Sequence, residues 1–173
     1  IPREYKKDKD YIKGCVRIWE HPVDNAPRDL YKMGYDTVHY DFVQEVESLI
    51  SVLVYKGNTR FLSSNQESQT YDTIVAEYTG RYDLLDKNNE IVELLSRYYN
   101  NAEIMMEVNI GVNIEYFKRR GLMHLLSTQP KEIIDRHVKN RQSNNIVGYI
   151  KSPELVSFLE QSTKEWLEKE RGM

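Results

Sequence analysis

The hydrophobic period of this chain changes near residue 80, and that change limits the fold more than any single motif. Before it, apolar runs of strand character follow one another with no helical pattern between them. "LYKMGYD" predicts a short strand ending at Asp36. "LISVLVYKGN" is an almost continuous β-type run closed by Gly57-Asn58, which suggests a central strand and a turn. After the polar loop "SSNQESQ" comes "YDTIVAEYTG", predicted to carry Ile74, Ala76 and Tyr78 on one face and Glu77 on the other, solvated one. Three such strands in succession predict an antiparallel meander. Ahead of them, Val16 and Ile18 alternate with Arg17 and Trp19 in "CVRIWEH", a plausible edge strand before the Pro22 break, and "HPVDNAPRD" is loop chemistry.

After residue 80 the spacing becomes helical. Ile91, Leu94, Leu95, Tyr98 and Tyr99 recur on one predicted helix face, with Asp86 as its expected N-cap. "EIMMEV" is a short apolar strand, and a second helix is expected from about Val112 to Arg120, stopped by Gly121. "KEIIDRHVKNRQSNN" is helical in pattern at first and loop-like later. A short strand is expected at Val147 to Ile150. Ser152-Pro153-Glu154 then starts a final helix bearing Leu155, Phe158, Leu159, Trp166 and Leu167. The fold class is therefore α/β, a mixed sheet of a three-strand antiparallel meander plus parallel strands, flanked by helices.

At 173 residues the chain suits one domain, residues 1–173, with a core that needs no staples. Cys15 is the only cysteine, which excludes an internal disulfide and a cysteine-rich zinc site. The 13 tyrosines suit half-buried positions. No apolar run is long enough to span a bilayer, and "IPREYKKDKD" has no signal-peptide core. The missing initiator methionine reads as a fragment. A net charge of −3 offers no bulk attraction for a polyanion, so a nucleic-acid enzyme of this balance needs a local basic surface facing an acidic site.

Sheets of this class gather side chains at the carboxyl ends of their strands. Asp36 and Glu107 each occupy such an end, with Asp41 five residues past the first. The ordinary reading of each acid is a solvated strand end. Brought together, two carboxylates repel unless a cation shares the site. Mg²⁺ and Mn²⁺ choose oxygen ligands, usually one or two carboxylates with waters and phosphate. A paired acidic crevice thus suits phosphodiester cleavage with two metals about 3.5–4 Å apart.

"YDTIVAEYTGRYD", "LLSRYYNNAEIMMEVN" and "GVNIEYFKRRGLMHLL", preceded by "VRIWEHPVDNAPRDLYKMGYDTVHYD", resemble the nuclease domain of tailed-phage terminase large subunits. The resemblance runs from about Gly14 to Gly148 and is most specific from Ile74 to Gln129. It implies a ribonuclease H-like fold and a two-metal endonuclease, using Mg²⁺ or Mn²⁺, that cuts concatemeric viral DNA in the cytoplasm of the bacterial host. It also implies double-stranded DNA, the terminase ATPase domain, the small terminase subunit and the portal as partners. Asp36 becomes the first metal ligand and Glu107 the second, with Asp41 as an outer ligand. Asn109 and Gly111 match the polar and glycine positions after the second acid, and Asn109 would orient Glu107 or a metal-bound water.

Two departures accompany the resemblance. The family's third acid lies on a late helix and is expected beyond Met173, so the domain reads as truncated; Asp41 and Asp135 are the possible substitutes. There is also no G-x-x-x-x-G-K-[ST] phosphate loop, hence no ATPase domain in these residues. For DNA backbone contacts the candidates are Arg81, at an expected turn, and Lys118, Arg119 and Arg120, which favour a helix C-terminus even without DNA. The four histidines, His21, His39, His124 and His137, share no metal-ligand spacing; His39 is nearest a proposed acid. Two rivals stand beside the nuclease: a non-catalytic module for motor assembly or DNA docking, and another ribonuclease H-like enzyme such as a resolvase.

Overall fold

Apolar alternation in "YKMGYD" and "ISVLVYK" places buried residues on one side of two strands that pair antiparallel in the centre of a sheet. The computed structural model describes residues 13–39, 48–63, 65–108, 111–129 and 147–171. In chain order its strands are β1 (Cys15–Ile18), β2 (Tyr31–Asp36), β3 (Ile50–Lys56), β4 (Arg60–Ser63), β5 (Gln66–Gln69), β6 (Thr73–Gly80) and β7 (Glu103–Met106). The helices are α1 (Leu85–Tyr98), α2 (Val112–Arg119) and α3 (Pro153–Arg171), with a single 3₁₀ turn at Met123–Leu125. The main sheet runs β1-β6-β3-β2-β7, while β4 and β5 form a separate hairpin. Every pairing in the main sheet is antiparallel except β2 with β7. The chain is thus α/β with a mixed sheet, and no helix among the described residues is long and apolar enough to cross a membrane.

One face of the sheet makes the core. Tyr31, Met33 and Tyr35 of β2, Val52 and Val54 of β3, and Ile104 and Met106 of β7 are nearly inaccessible there. Helix α1 is tied to this face by the Tyr31–Tyr99 ring contact at 5.1 Å and by a buried hydrogen bond from the Tyr35 hydroxyl to Asn89 Oδ1, 3.0 Å. Full burial of each such apolar side chain contributes about 1.5–3 kcal/mol, so the face is the main source of stability.

Several local expectations change. The polar stretch "SSNQESQ" is not a plain loop: Gln66–Gln69 pairs with Arg60–Ser63 as a hairpin. In β6, Ala76 pairs with Val54 but Ile74 pairs with Tyr55, so Val75 is an inserted residue. That bulge moves Ile74 off the face shared by Ala76 and Tyr78, because one extra residue inverts the strand alternation. Ile74 instead lines a groove with Gly34, Leu53 and Tyr55 on the second face. Glu77 stays on the solvated face and pairs with Arg17 at 2.6 Å.

The buried stripe of α1 is also rotated from the expected one. Leu94 and Tyr98 are exposed, while Asn88, Asn89, Glu93 and Ser96 are buried beside Val92 and Leu95. Asn88, Glu93 and Ser96 meet partners and Asn89 meets one through its Oδ1, which offsets much of the penalty that a hydrophobic pattern assumes, while Asn89 Nδ2 makes no hydrogen bond. Asn88 bonds to the Tyr82 amide and carbonyl, and Ser96 donates to the Ala102 carbonyl at 2.8 Å. Asp86 does not cap the helix: the cap position is Leu84, and Asp86 lies in the first turn, bound to Arg119. Helix α2 ends as expected, with Gly121 at φ 68° just beyond it, a conformation glycine adopts without a Cβ penalty.

Helix α3 crosses the second face. Ser152 caps it, its Oγ accepting the Leu155 amide hydrogen at 3.2 Å. Leu159 and Trp166 stand over Gly34, Leu53, Tyr55 and Ile74 and leave a groove of about 410 Å³ between helix and strands.

Candidate functional site: an acid pair at the ends of two parallel strands

The parallel register pairs Lys32 with Glu103, Met33 with Ile104, Gly34 with Met105 and Tyr35 with Met106. The next step along both strands sets Asp36 beside Glu107, and the Glu107 amide donates to the Tyr35 carbonyl at 3.3 Å. Neighbouring strands lie about 4.8 Å apart, and in-register residues of a parallel pair project to the same side. Lys32 and Glu103 demonstrate this four residues earlier on the same face, where their side chains meet at 2.8 Å. Tyr35 and Met106 point into the core, so Asp36 and Glu107 point away from it together. Sequence placed each acid at a strand end; only this pairing makes them neighbours.

The backbones that carry the two acids are joined. Thr37 Oγ1 donates to the Glu107 carbonyl at 3.2 Å. Asn113, fully buried on α2, donates to the Val38 carbonyl at 2.9 Å and ties the stretch after Asp36 to the helix after Glu107. Neither residue stands out in the sequence, since both act through backbone partners about 70 positions away.

A third segment closes the outer side. The Tyr149 amide donates to the Met106 carbonyl at 2.9 Å, and the Val108 amide to the Tyr149 carbonyl at 2.8 Å, so Tyr149 pairs parallel with Glu107. In place of the strand expected at 147–150, this segment makes an isolated bridge from Val147 to Thr128 and another at Tyr149, beside the end of β7. It covers Glu107, which keeps 8 % of its surface, while Asp36 remains exposed. Lys151 brings its ammonium to 3.8 Å from Glu107 Oε2. Burial, then the fields of Glu107 and Asp36, push the Tyr149 phenol above its ordinary value. Both carboxylates thus bear on one tyrosine, which stays protonated at neutral pH.

Two carboxylates side by side are an oxygen-only donor set, and that chemistry fits a hard divalent cation whose other positions go to water and phosphate. Among the described residues, no group of three or more His, Cys, Asp or Glu side chains is placed to hold a metal ion. Asp41, Asn109, Asp135 and His137 lie outside the described residues. Gly111 precedes α2, where an added Cβ would meet nothing within 4 Å, so close packing does not demand glycine there.

The expected DNA-contacting cations are placed differently. Arg81 is buried, and its guanidinium donates to the Ser48 carbonyl and hydroxyl, both at 2.9 Å, so it supports the sheet rather than reaching a phosphate. Arg120 binds the buried Glu93 carboxylate at 2.8 Å, joined there by Arg97 and the Tyr116 hydroxyl. Arg119 grips both oxygens of Asp86, and Lys118 lies 3.5 Å from Glu115. The Arg119 and Arg120 pairs lock α2 to α1, the Lys118 pair lies within α2, and together they account for the three cations without DNA. His21 meets the Tyr98 hydroxyl at 2.5 Å, which is a structural contact.

Compared with protein-family models the chain matches none, and no curated protein matches it.

Proposed function

We propose that this chain is the nuclease domain of a tailed-phage terminase large subunit, a ribonuclease H-like, metal-dependent endodeoxyribonuclease. In this reading it cuts concatemeric viral DNA in the bacterial cytoplasm, alongside an ATPase domain, a small subunit and a portal. The observation that carries the reading is the Asp36–Glu107 pair, set side by side at the ends of adjacent parallel strands. The meander β2-β3-β6 with β7 added parallel beside β2 supports the fold assignment.

Asp36 and Glu107 are the residues that would hold Mg²⁺ or Mn²⁺. When bound there, the ion supplies Lewis-acid activation of water and charge stabilisation at the departing oxygen. The chain's own contribution is position. Thr37 and Asn113 hold the two acid-bearing segments at fixed separation, so the carboxylates are arranged before substrate arrives. Burial of Glu107 under Tyr149 limits water on that side and strengthens its interaction with a cation. Exposure of Asp36 leaves the other side open to a DNA strand.

The test is cleavage of supercoiled plasmid by the purified chain with Mg²⁺ or Mn²⁺. Asp36→Asn and Glu107→Gln are each expected to abolish cleavage while thermal unfolding stays near wild type. Cleavage that persists at the wild-type rate in both variants sinks the site assignment. A non-catalytic docking module is favoured by one observation, the lack of a third acid at the pair among the described residues. DNA binding with no cleavage under any metal would select it.

A further inference from the structure

The acid pair presents a difficulty for the substrate proposed above. Without a cation at the pair, a phosphodiester approaching two adjacent carboxylates is repelled, and the basic residues expected to counter this are occupied elsewhere. Arg81 is buried against Ser48, and Arg119 and Arg120 are paired to Asp86 and Glu93. Lys32 lies four residues back along β2, bound to Glu103. Among the described residues, the basic group that the fold brings against the pair is Lys151, which sequence reasoning passed over.

Its placement is fixed from both sides. Upstream, the Gly148 amide is bonded to the Ser127 carbonyl and the Tyr149 amide to the Met106 carbonyl at the end of β7. Downstream, Ser152 caps α3. The backbone of Lys151 is therefore anchored while its side chain stays 56 % exposed. The ammonium–carboxylate separation of 3.8 Å lies beyond hydrogen-bond reach, so the contact with Glu107 is loose. A lysine ammonium is a compact charge on a flexible stem with three donors, suited to exchanging one oxyanion for another. It also borders a largely apolar groove of about 440 Å³ shared with Tyr149, Leu155, Leu159, Glu160 and Leu167.

We propose that Lys151 is a substrate-binding residue of this site, its ammonium contacting a non-bridging oxygen of the phosphodiester that lies against the Asp36–Glu107 pair. The proposal rests on DNA being the substrate. With no DNA bound, Lys151 neutralises Glu107; with DNA bound, it turns to the phosphate.

The experiment compares Glu107→Gln with Glu107→Gln/Lys151→Ala, both in the full chain, by fluorescence anisotropy on a short DNA duplex in EDTA across a salt series. The Gln background removes the Glu107 ion pair, so the effect of Lys151→Ala there is not loss of that pair. Loss of a phosphate contact is expected to weaken binding and make the slope of log K against log salt less negative by about 0.9. Lys151→Arg in the same background is expected to restore the slope. Equal affinity and slope in the two variants overturns the proposal, as does failure of Glu107→Gln to bind the duplex at all. Since neither variant needs to cut, the result is separate from the plasmid assay. If the wild-type chain never cleaves while the two variants still differ in slope, the nuclease reading falls and Lys151 stands as a DNA-binding residue.

Discussion

Gly148 holds the segment that covers Glu107, and replacing it by alanine is the sharpest structural perturbation of the site. Its φ is 71°, in the left-handed region that costs a residue with a Cβ roughly 1–2 kcal/mol. The added Cβ would also sit 2.4 Å from both the Met106 carbonyl oxygen and Val108 Cγ2. That carbonyl accepts the Tyr149 amide at 2.9 Å, so backbone relief breaks the bridge beside Glu107. Overpacking of this kind costs about 1–3 kcal/mol. Together the two effects predict a loss of about 2–5 kcal/mol, and for a chain of this size 1 kcal/mol corresponds to roughly 2–4 °C in Tm. Calorimetry should show a fall of at least about 4 °C. Gly34→Ala is the control: a Cβ there meets nothing within 4 Å and φ is ordinary, so Tm should hold or rise slightly. Equal Tm values for wild type and Gly148→Ala would refute the account of how Tyr149 and Lys151 are placed.

Two further substitutions examine the frame around the site. Glu93→Gln weakens the buried junction with Arg97, Arg120 and Tyr116 and is expected to cost about 2 kcal/mol at pH 7, less than a fully buried pair because both arginines are half exposed. Burial raises the Glu93 pKa, but the bonds from Arg120, Tyr116 and Arg97 outweigh it and hold the carboxyl below its ordinary 4.5. Its contribution is therefore complete above the unfolded value and is lost as pH falls through the folded one. Urea midpoints of wild type and Glu93→Gln should converge as pH drops below about 4.5, and a gap that stays constant to pH 3 would contradict this. Tyr35→Phe leaves Asn89 Oδ1 without its buried donor and should cost about 1–3 kcal/mol by chemical denaturation, with no change in DNA binding.

Much of the frame was legible because it follows from periodicity. β2, β3, β6, α2 and the Ser152 cap of α3 fall near where strand alternation, Gly121 and Ser152-Pro153 put them. The misreadings share a cause, which is dependence on distant partners. A bulge at Val75 turned Ile74 to the other face, and the rotated stripe of α1 buries asparagines and a glutamate that meet partners from β2, α2 and the turn before the helix. Arg81, read as turn chemistry open to a phosphate, is instead enclosed by its bonds to Ser48.

The amino-acid order alone determined that Asp36 and Glu107 end apolar strands, because alternation and run length are local properties of the chain. It could not decide that they are neighbours. That came from β7 joining β2 in parallel register, which closes a gap of 71 positions through backbone hydrogen bonds carrying no side-chain signature. The same holds for Lys151. Its sequence neighbours say only that a helix is about to start, and its place at the acid pair exists because Tyr149 bridges to Glu107 across the sheet edge. Local propensity chose the elements, and long-range pairing chose which charges face one another.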